Sequence, residues 1–231
     1  MTRQSRSGPW SAIALPTSLL VLGAALRLSG LARDQRLHGD EAYYADLARR
    51  ITAWGDWQLL GVPLDKPPLF FFLSGLWQVG LGDSEFALRL LNAFGSLLSL
   101  SLFYALARRL SGDRQVAGWA ALLVALAPLE IALASSGFQD TWMMLGVLAA
   151  LLSIGAGALG LGRSWFGMAL AIKPTAIWMA PLVLGVGLLQ PGRAPWPGAW
   201  RWGRGVVGIL LLVNAVGMQA DPPLRCGGKA D

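Results

Sequence analysis

Charge is what this chain lacks. Only 14% of its 231 residues are Asp, Glu, Lys or Arg, while 55% are hydrophobic. A soluble domain carries about 25% charged residues, so this surface cannot all face water. Cysteine is nearly absent too: the single Cys226 excludes a disulfide framework and a cysteine-based metal site. There is one histidine, His38, and no internal repeat or low-complexity segment. Basic stretches interleaved with aromatics are also missing. The formal net charge of +6 therefore carries no nucleic-acid footprint. The arginines stand singly or in pairs at the ends of apolar runs, where they read as topology signals and lipid-headgroup contacts.

Long apolar runs are what the chain has. They fall at about 10–31, 84–107, 116–135, 141–161, 164–189 and 205–218, near the ~20 residues that cross a bilayer. The expected fold is all-α: a polytopic transmembrane helix bundle of about six or seven membrane segments, with amphipathic juxtamembrane helices in the first extracytoplasmic loop. Residues 1–218 form the expected transmembrane domain, and the polar tail 219–231 is expected to be disordered. Residues 1–9 are basic but no small-residue cleavage site follows, so the first run reads as a retained span. Arg27 stands near enough to its end to snorkel.

The positive-inside rule gives an orientation. Arg3 and Arg6, then Arg108, Arg109 and Arg114, then Arg163 mark three cytoplasmic segments. The N-terminus is then cytoplasmic, and the loop 32–83 and the turn 135–140 both face outside, as expected of a multi-pass plasma-membrane protein. Asp40 and Asp140 fall on one side although a hundred positions separate them. The run 164–189 breaks the count, because as one span it puts Arg193, Arg201 and Arg204 outside. A turn at 172–175 restores the rule, and a broken or re-entrant helix is expected there.

The loop 32–83 holds seven of the 13 acidic residues: Asp34, Asp40, Glu41, Asp46, Asp56, Asp65 and Asp83. Within it, 40–54 reads as a surface-lying amphipathic helix with Tyr43, Leu47, Ile51 and Trp54 on one face. Glu41, Arg49 and Arg50 lie largely off that face. Asp40 falls at the N-cap or first turn, where free N–H groups favour a carboxylate. Pro67 and Pro68 start a second helix, about 15 residues long and too short to span. Lys66, just before it, can join its N-terminus in holding an anion, phosphate above all.

These residues carry a resemblance. The stretches "LHGDEAYYADLARRI" (37–51) and "DKPPLFFFLSGLWQVGLGDSEFALRLLNAF" (65–94) resemble the first extracytoplasmic loop of the GT-C glycosyltransferases. The branch is that of the protein O-mannosyltransferases and aminoarabinose-transferase-like enzymes. "LAPLEIALASSGFQDTWMMLGVLAALL" (126–152) and "GMALAIKPTAIWMAPLVLG" (167–185) agree in order. The likeness covers roughly residues 10–190. It implies an enzyme that takes a sugar from a polyprenyl-phosphate donor at the outer face of the membrane. The sugar passes, with inversion, to an acceptor hydroxyl on protein, lipid or glycan. It implies Asp40 as the catalytic acidic residue, a candidate base, with Glu41 its neighbour, Lys66 near the donor phosphate, and Asp140 as a second acidic position. Tyr43, His38 and Lys173 join the expected substrate-binding set. Asp65 stands where the family often has Glu. No cofactor is required; a divalent metal on Asp40, Asp65 or Asp140 is compatible, though no spacing demands one. Family members generally run to several hundred residues, so an incomplete chain is expected.

Plainer readings stand beside these. Asp40 and Glu41 together can be a capping pair, and Asp140 the cap of the next span. Lys66 suits a lipid headgroup as well as a donor phosphate. His38 suits a loop or cap position as well as an acceptor contact. Lys173, a cation within an apolar run, requires a partner: lipid phosphate, or a place at a helix break. Glu130 reads as interfacial, and the aromatics of 54–77 as membrane anchors rather than a sugar platform. A non-catalytic binder of lipid-linked sugar is the competing functional class. A transporter fits only Lys173.

Overall fold

A computed structural model describes residues 9–32, 36–59, 62 and 64–188, with side chains between residues 14 and 187. The basic N-terminus, Asp34, Arg193, Arg201, Arg204, the run 205–218, Cys226 and the polar tail lie outside the described residues.

Helices account for the regular structure, with no strand among the described residues. They are α1 (Pro9–Leu31), α2 (Gly39–Ala53), α3 (Leu69–Leu81), α4 (Glu85–Ser111), α5 (Arg114–Leu126), α6 (Pro128–Ala134), α7 (Asp140–Gly155), α8 (Leu159–Ile172) and α9 (Ala180–Leu188). A 3-10 segment, Pro174–Met179, joins α8 to α9. By length and composition, α1 and α4 can cross a membrane. So can the α5–α6 pair if it counts as one span bent by 61°. Helices α3, α7 and α8 are apolar but shorter.

Local chemistry sets the boundaries. The Ser84 hydroxyl caps α4 by accepting from the Ala87 N–H at 3.1 Å. Gly112 ends it in the left-handed region, at φ 68°. Asp113 caps α5 through the Gln115 N–H at 2.7 Å. Pro128 brings no N–H, and the residue before a proline leaves the helical region, so Ala127 is extended and the helix bends. The same rule breaks the chain at Lys173, extended at φ −145° and ψ 117° ahead of Pro174. A break was expected there, and α8 stops at Ile172.

Three apolar clusters hold the bundle together. Leu19, Leu100, Ala121 and Ala125 join α1, α4 and α5. Val147, Ala150, Ile154, Phe166, Leu170 and Val183 join α7, α8 and α9. The third cluster belongs to the loop: Tyr44, Leu47, Ile51, Leu59, Phe70 and Phe71, with Ile172 reaching in from the end of α8. Small residues let backbones approach. A Cβ on Gly146 of α7 would lie 3.0 Å from the Ala169 Cβ and 3.1 Å from the Trp165 carbonyl oxygen of α8.

The structure corrects the sequence reading in several places. Arg27 does not snorkel; it is fully buried among α1, α4 and α5. Its Nε donates to Ser96 Oγ at 2.7 Å, and its Nη1 to the Ala125 carbonyl at 3.2 Å and the Gly23 carbonyl at 3.4 Å. Wrapped by two neighbouring helices, it has acceptors at hand and no route to a headgroup. On α2 the buried face is Glu41, Tyr44, Leu47, Ala48 and Ile51. Trp54 is 60% exposed, off the face by which α2 packs on α3. The runs 141–161 and 164–189 divide differently, because Gly157, at φ 84°, turns the chain between α7 and α8. Arg163 therefore sits inside α8 and not in a loop.

Candidate active site

Helix α2 begins with a capping box. His38 Nδ1 accepts from the Asp40 N–H at 3.3 Å, and Glu41 Oε2 accepts from the His38 N–H at 2.9 Å. Those two bonds satisfy free N–H groups of the first turn. They assign His38 the cap, one of the alternatives its sequence position left open. Asp40 is exposed in that first turn, and its carboxylate has no side-chain partner among the described residues. Glu41 is the opposite case, only 4% exposed. It accepts from the Gly137 N–H and pairs with Arg89 Nη2 at 3.7 Å.

Gly137 belongs to the turn 135–139 that leads into α7. The turn is held against α2 and α4 from several directions. Asn92 Nδ2 of α4 donates to the carbonyls of Ser136 at 2.6 Å and Phe138 at 2.7 Å. The Phe138 ring lies 5.5 Å from that of His38. Loop 32–83 and turn 135–140 are thus in direct contact. Asp140 opens α7, and its Oδ1 accepts from Lys173 Nζ at 2.6 Å. Lys173 has the partner that a cation in an apolar run requires, supplied by the chain itself.

Lys66 meets α2 one turn further on, at Tyr44. Its ammonium donates to the Tyr44 hydroxyl, sits 4.9 Å over the Tyr44 ring and pairs with Asp65 at 3.4 Å. Partial burial pulls the Lys66 pKa down, but the Tyr44 hydrogen bond and charge, with Asp65, outweigh it and leave it raised. The Tyr43 hydroxyl is also raised, first by burial and then by the negative charge of Asp65, although it bonds to the Asp65 backbone. Tyr43, Tyr44, Phe70 and Phe71 interlock through ring contacts.

These pieces share one apolar centre. Tyr44, Phe70, Phe71 and Ile172 are buried in it, with Tyr43, Phe138 and Trp142 packed around them. Lys66 is joined to the cluster by Tyr44, Asp140 by Trp142 two residues on, and Lys173 by its neighbour Ile172. Among the described residues no three His, Cys, Asp or Glu side chains gather to hold a metal ion. The sequence reading passed over Tyr44, Arg89 and Asn92. Arg89 had a signal, an arginine inside the apolar stretch "SEFALRL". Tyr44 had only its place beside Tyr43.

Comparison with known proteins follows the same segments. The family model described as dolichyl-phosphate-mannose-protein mannosyltransferase matches residues 65–218. Among curated proteins, the undecaprenyl phosphate-alpha-4-amino-4-deoxy-L-arabinose arabinosyl transferase of Pseudomonas paraeruginosa is 27% identical over 193 residues. That alignment covers 75% of this chain and 34% of the relative. The enzyme of the same description from Pectobacterium carotovorum is 32% identical over 141 residues, 59% of this chain and 25% of the relative. The chain thus spans about a third or less of the length of these relatives. No solved structure matches it. Apolar helices and a family match over most of its length agree: this membrane protein belongs to the dolichyl-phosphate-mannose-protein mannosyltransferase family.

Proposed function

We propose that the protein is an integral-membrane glycosyltransferase that moves a sugar from a polyprenyl-phosphate donor to an acceptor hydroxyl, with Asp40 as general base. The relatives' substrate, an undecaprenyl-phosphate aminoarabinose, is the first donor to try. The carrying observation is the contrast within one dipeptide. Asp40 is exposed and unpartnered at a helix N-terminus, while Glu41 beside it is buried and fully engaged.

The chemistry divides among the residues. The acceptor oxygen attacks the anomeric carbon on the face opposite the phosphate, its proton passes to Asp40, and the carbon–phosphate-oxygen bond breaks with inversion. A placed base contributes roughly 10²–10⁴ in rate. Negative charge grows on the departing lipid phosphate. Lys66 answers it: the ammonium has three N–H donors, and Tyr44 and Asp65 engage two of them. Tyr44 also holds the ammonium still, so that little reorganisation is needed in the transition state. Asp140, held in place by Lys173, adds a carboxylate for the positive character that develops on the sugar. The active loop faces the extracytoplasmic side, with the N-terminus in the cytoplasm.

The test is Asp40→Asn in the full-length gene product, assayed for sugar transfer from polyprenyl-phosphate donors in membranes. Transfer is expected to fall by at least about a hundredfold, and transfer at the wild-type rate refutes the assignment. Donor binding without turnover in the unaltered protein would favour the non-catalytic binder instead.

A further inference from the structure

Glu41 has more partners than a helix cap needs. The capping box uses Oε2 on the His38 N–H at 2.9 Å. It does not account for Oε1, which accepts from the Gly137 N–H, or for Arg89 Nη2 at 3.7 Å. One buried carboxylate therefore joins three segments: the start of α2, the turn 135–139 and α4. Asn92, three positions beyond Arg89 on α4, grips the same turn through the Ser136 and Phe138 carbonyls. The approach at Gly137 is close. A Cβ there would meet Leu88 Cδ2 at 2.8 Å and Glu41 Cγ at 3.5 Å, so a larger residue would push the amide away from its acceptor.

A buried charge joined this way is not a spare ligand. Removing one partner leaves the other desolvated and uncompensated, which costs far more than an exposed pair contributes. What the junction accomplishes is read from its neighbours. Asp40 precedes Glu41 by one residue, and Asp140 follows Gly137 by three. We propose that Glu41 is a positioning residue: through the Gly137 amide and Arg89 it fixes Asp40 relative to Asp140, without exchanging protons with substrate itself. The proposal rests on Asp40 as the base.

The experiment uses the full-length protein in membranes or detergent, with Glu41→Gln, Glu41→Ala and Asp40→Asn. Glu41→Gln keeps the side chain's shape and one acceptor. Its kcat is expected to drop roughly a hundredfold, the scale of a misplaced reacting group, with little change in donor KM. Its residual activity keeps the wild-type fall in rate on the acid side. Loss of that acid-side fall in Glu41→Gln overturns the proposal, since Glu41 would then carry the proton. A second readout needs no activity: hydrogen exchange of the amides of 135–140. Glu41→Ala is expected to speed it by at least about tenfold, the loss of a charge-assisted bond. Glu41→Gln is expected to speed it less, and Asp40→Asn not at all. Unchanged exchange in both Glu41 variants overturns the proposal. A fully active Asp40→Asn protein removes the base assignment alone, and the junction then stands or falls on exchange.

Discussion

Lys173 Nζ stands 2.6 Å from Asp140 Oδ1, so the first residue of α7 meets the residue just past the end of α8. The contact closes one end of an antiparallel helix pair beside the loop cluster. Both side chains are about a quarter to a third exposed, which screens the attraction. A double-mutant cycle with Asp140→Asn and Lys173→Met is expected to give a coupling of about 1 kcal/mol, near the top of the range for such pairs. Unfolding in detergent measures it. Strictly additive losses would show that the contact contributes nothing to the fold.

Tyr44 and Lys66 predict a pH dependence. The Lys66 ammonium is raised above its ordinary value, with the Tyr44 hydrogen bond foremost among the raising causes. The folded state then holds that proton more tightly than the unfolded chain does. The resulting stability is fully present below the unfolded value, about 10.4, and is lost as pH rises through the higher folded value. Tyr43, also raised, works in the same direction. Thermal stability followed from about pH 8 to about pH 12, a span around the ordinary Lys and Tyr values, is expected to decline at the alkaline end. Tyr44→Phe, which removes the acceptor, makes that decline shallower and weakens donor binding. An unchanged alkaline slope in Tyr44→Phe would show that the hydrogen bond does not hold the proton.

Much of this was legible in sequence, and the misses share a physical cause. The helix start at Pro67 and Pro68 and the break before Pro174 are local chemistry, written within a few residues of where they act. Partners are not local. Asp140 and Lys173 each stood out alone, but their meeting depends on where Gly157 turns the chain and on how closely Gly146 lets α8 approach. The spacing of Tyr43, Leu47, Ile51 and Trp54 puts Glu41 off the apolar face of α2. Positions 41, 44, 48 and 51 nonetheless recur at helical spacing, and all four are buried. Arg27 reads as a snorkelling residue because the helix end is near. The tertiary acceptors that hold it, Ser96 and the Ala125 carbonyl, lie 69 and 98 positions away.

The α7–α8 approach is itself open to test. A side chain at Gly146 would press on the Trp165 carbonyl and the Ala169 Cα, at 3.1 and 3.3 Å, and backbone cannot step aside as a rotamer can. Gly146→Val is expected to destabilise by about 1–3 kcal/mol, the cost of overpacking. It should also shrink the Asp140–Lys173 coupling, since the helices are forced apart. Gly160 has open space around its missing Cβ. Gly160→Ala should be neutral or stabilising by up to ~1 kcal/mol through helix propensity. Equal effects at the two sites would argue that packing is not what Gly146 serves.

Arg27 offers a sharper version of the same question, because a fully buried cation depends on every acceptor it has. Ser96→Ala removes the 2.7 Å acceptor of its Nε and leaves the charge in place. Bonds to charged groups contribute roughly 1.5–3 kcal/mol, so unfolding in detergent should become easier by about 2 kcal/mol. Arg27→Met takes away the charge along with its need for acceptors, and such replacements are often neutral or better. The double variant Arg27→Met with Ser96→Ala is therefore expected to be more stable than Ser96→Ala alone. The opposite order would mean that the guanidinium, even with one acceptor lost, contributes more through the Ala125 and Gly23 carbonyls than its burial costs. The junction of α1, α4 and α5 would then depend on the ion and not on the apolar cluster around it.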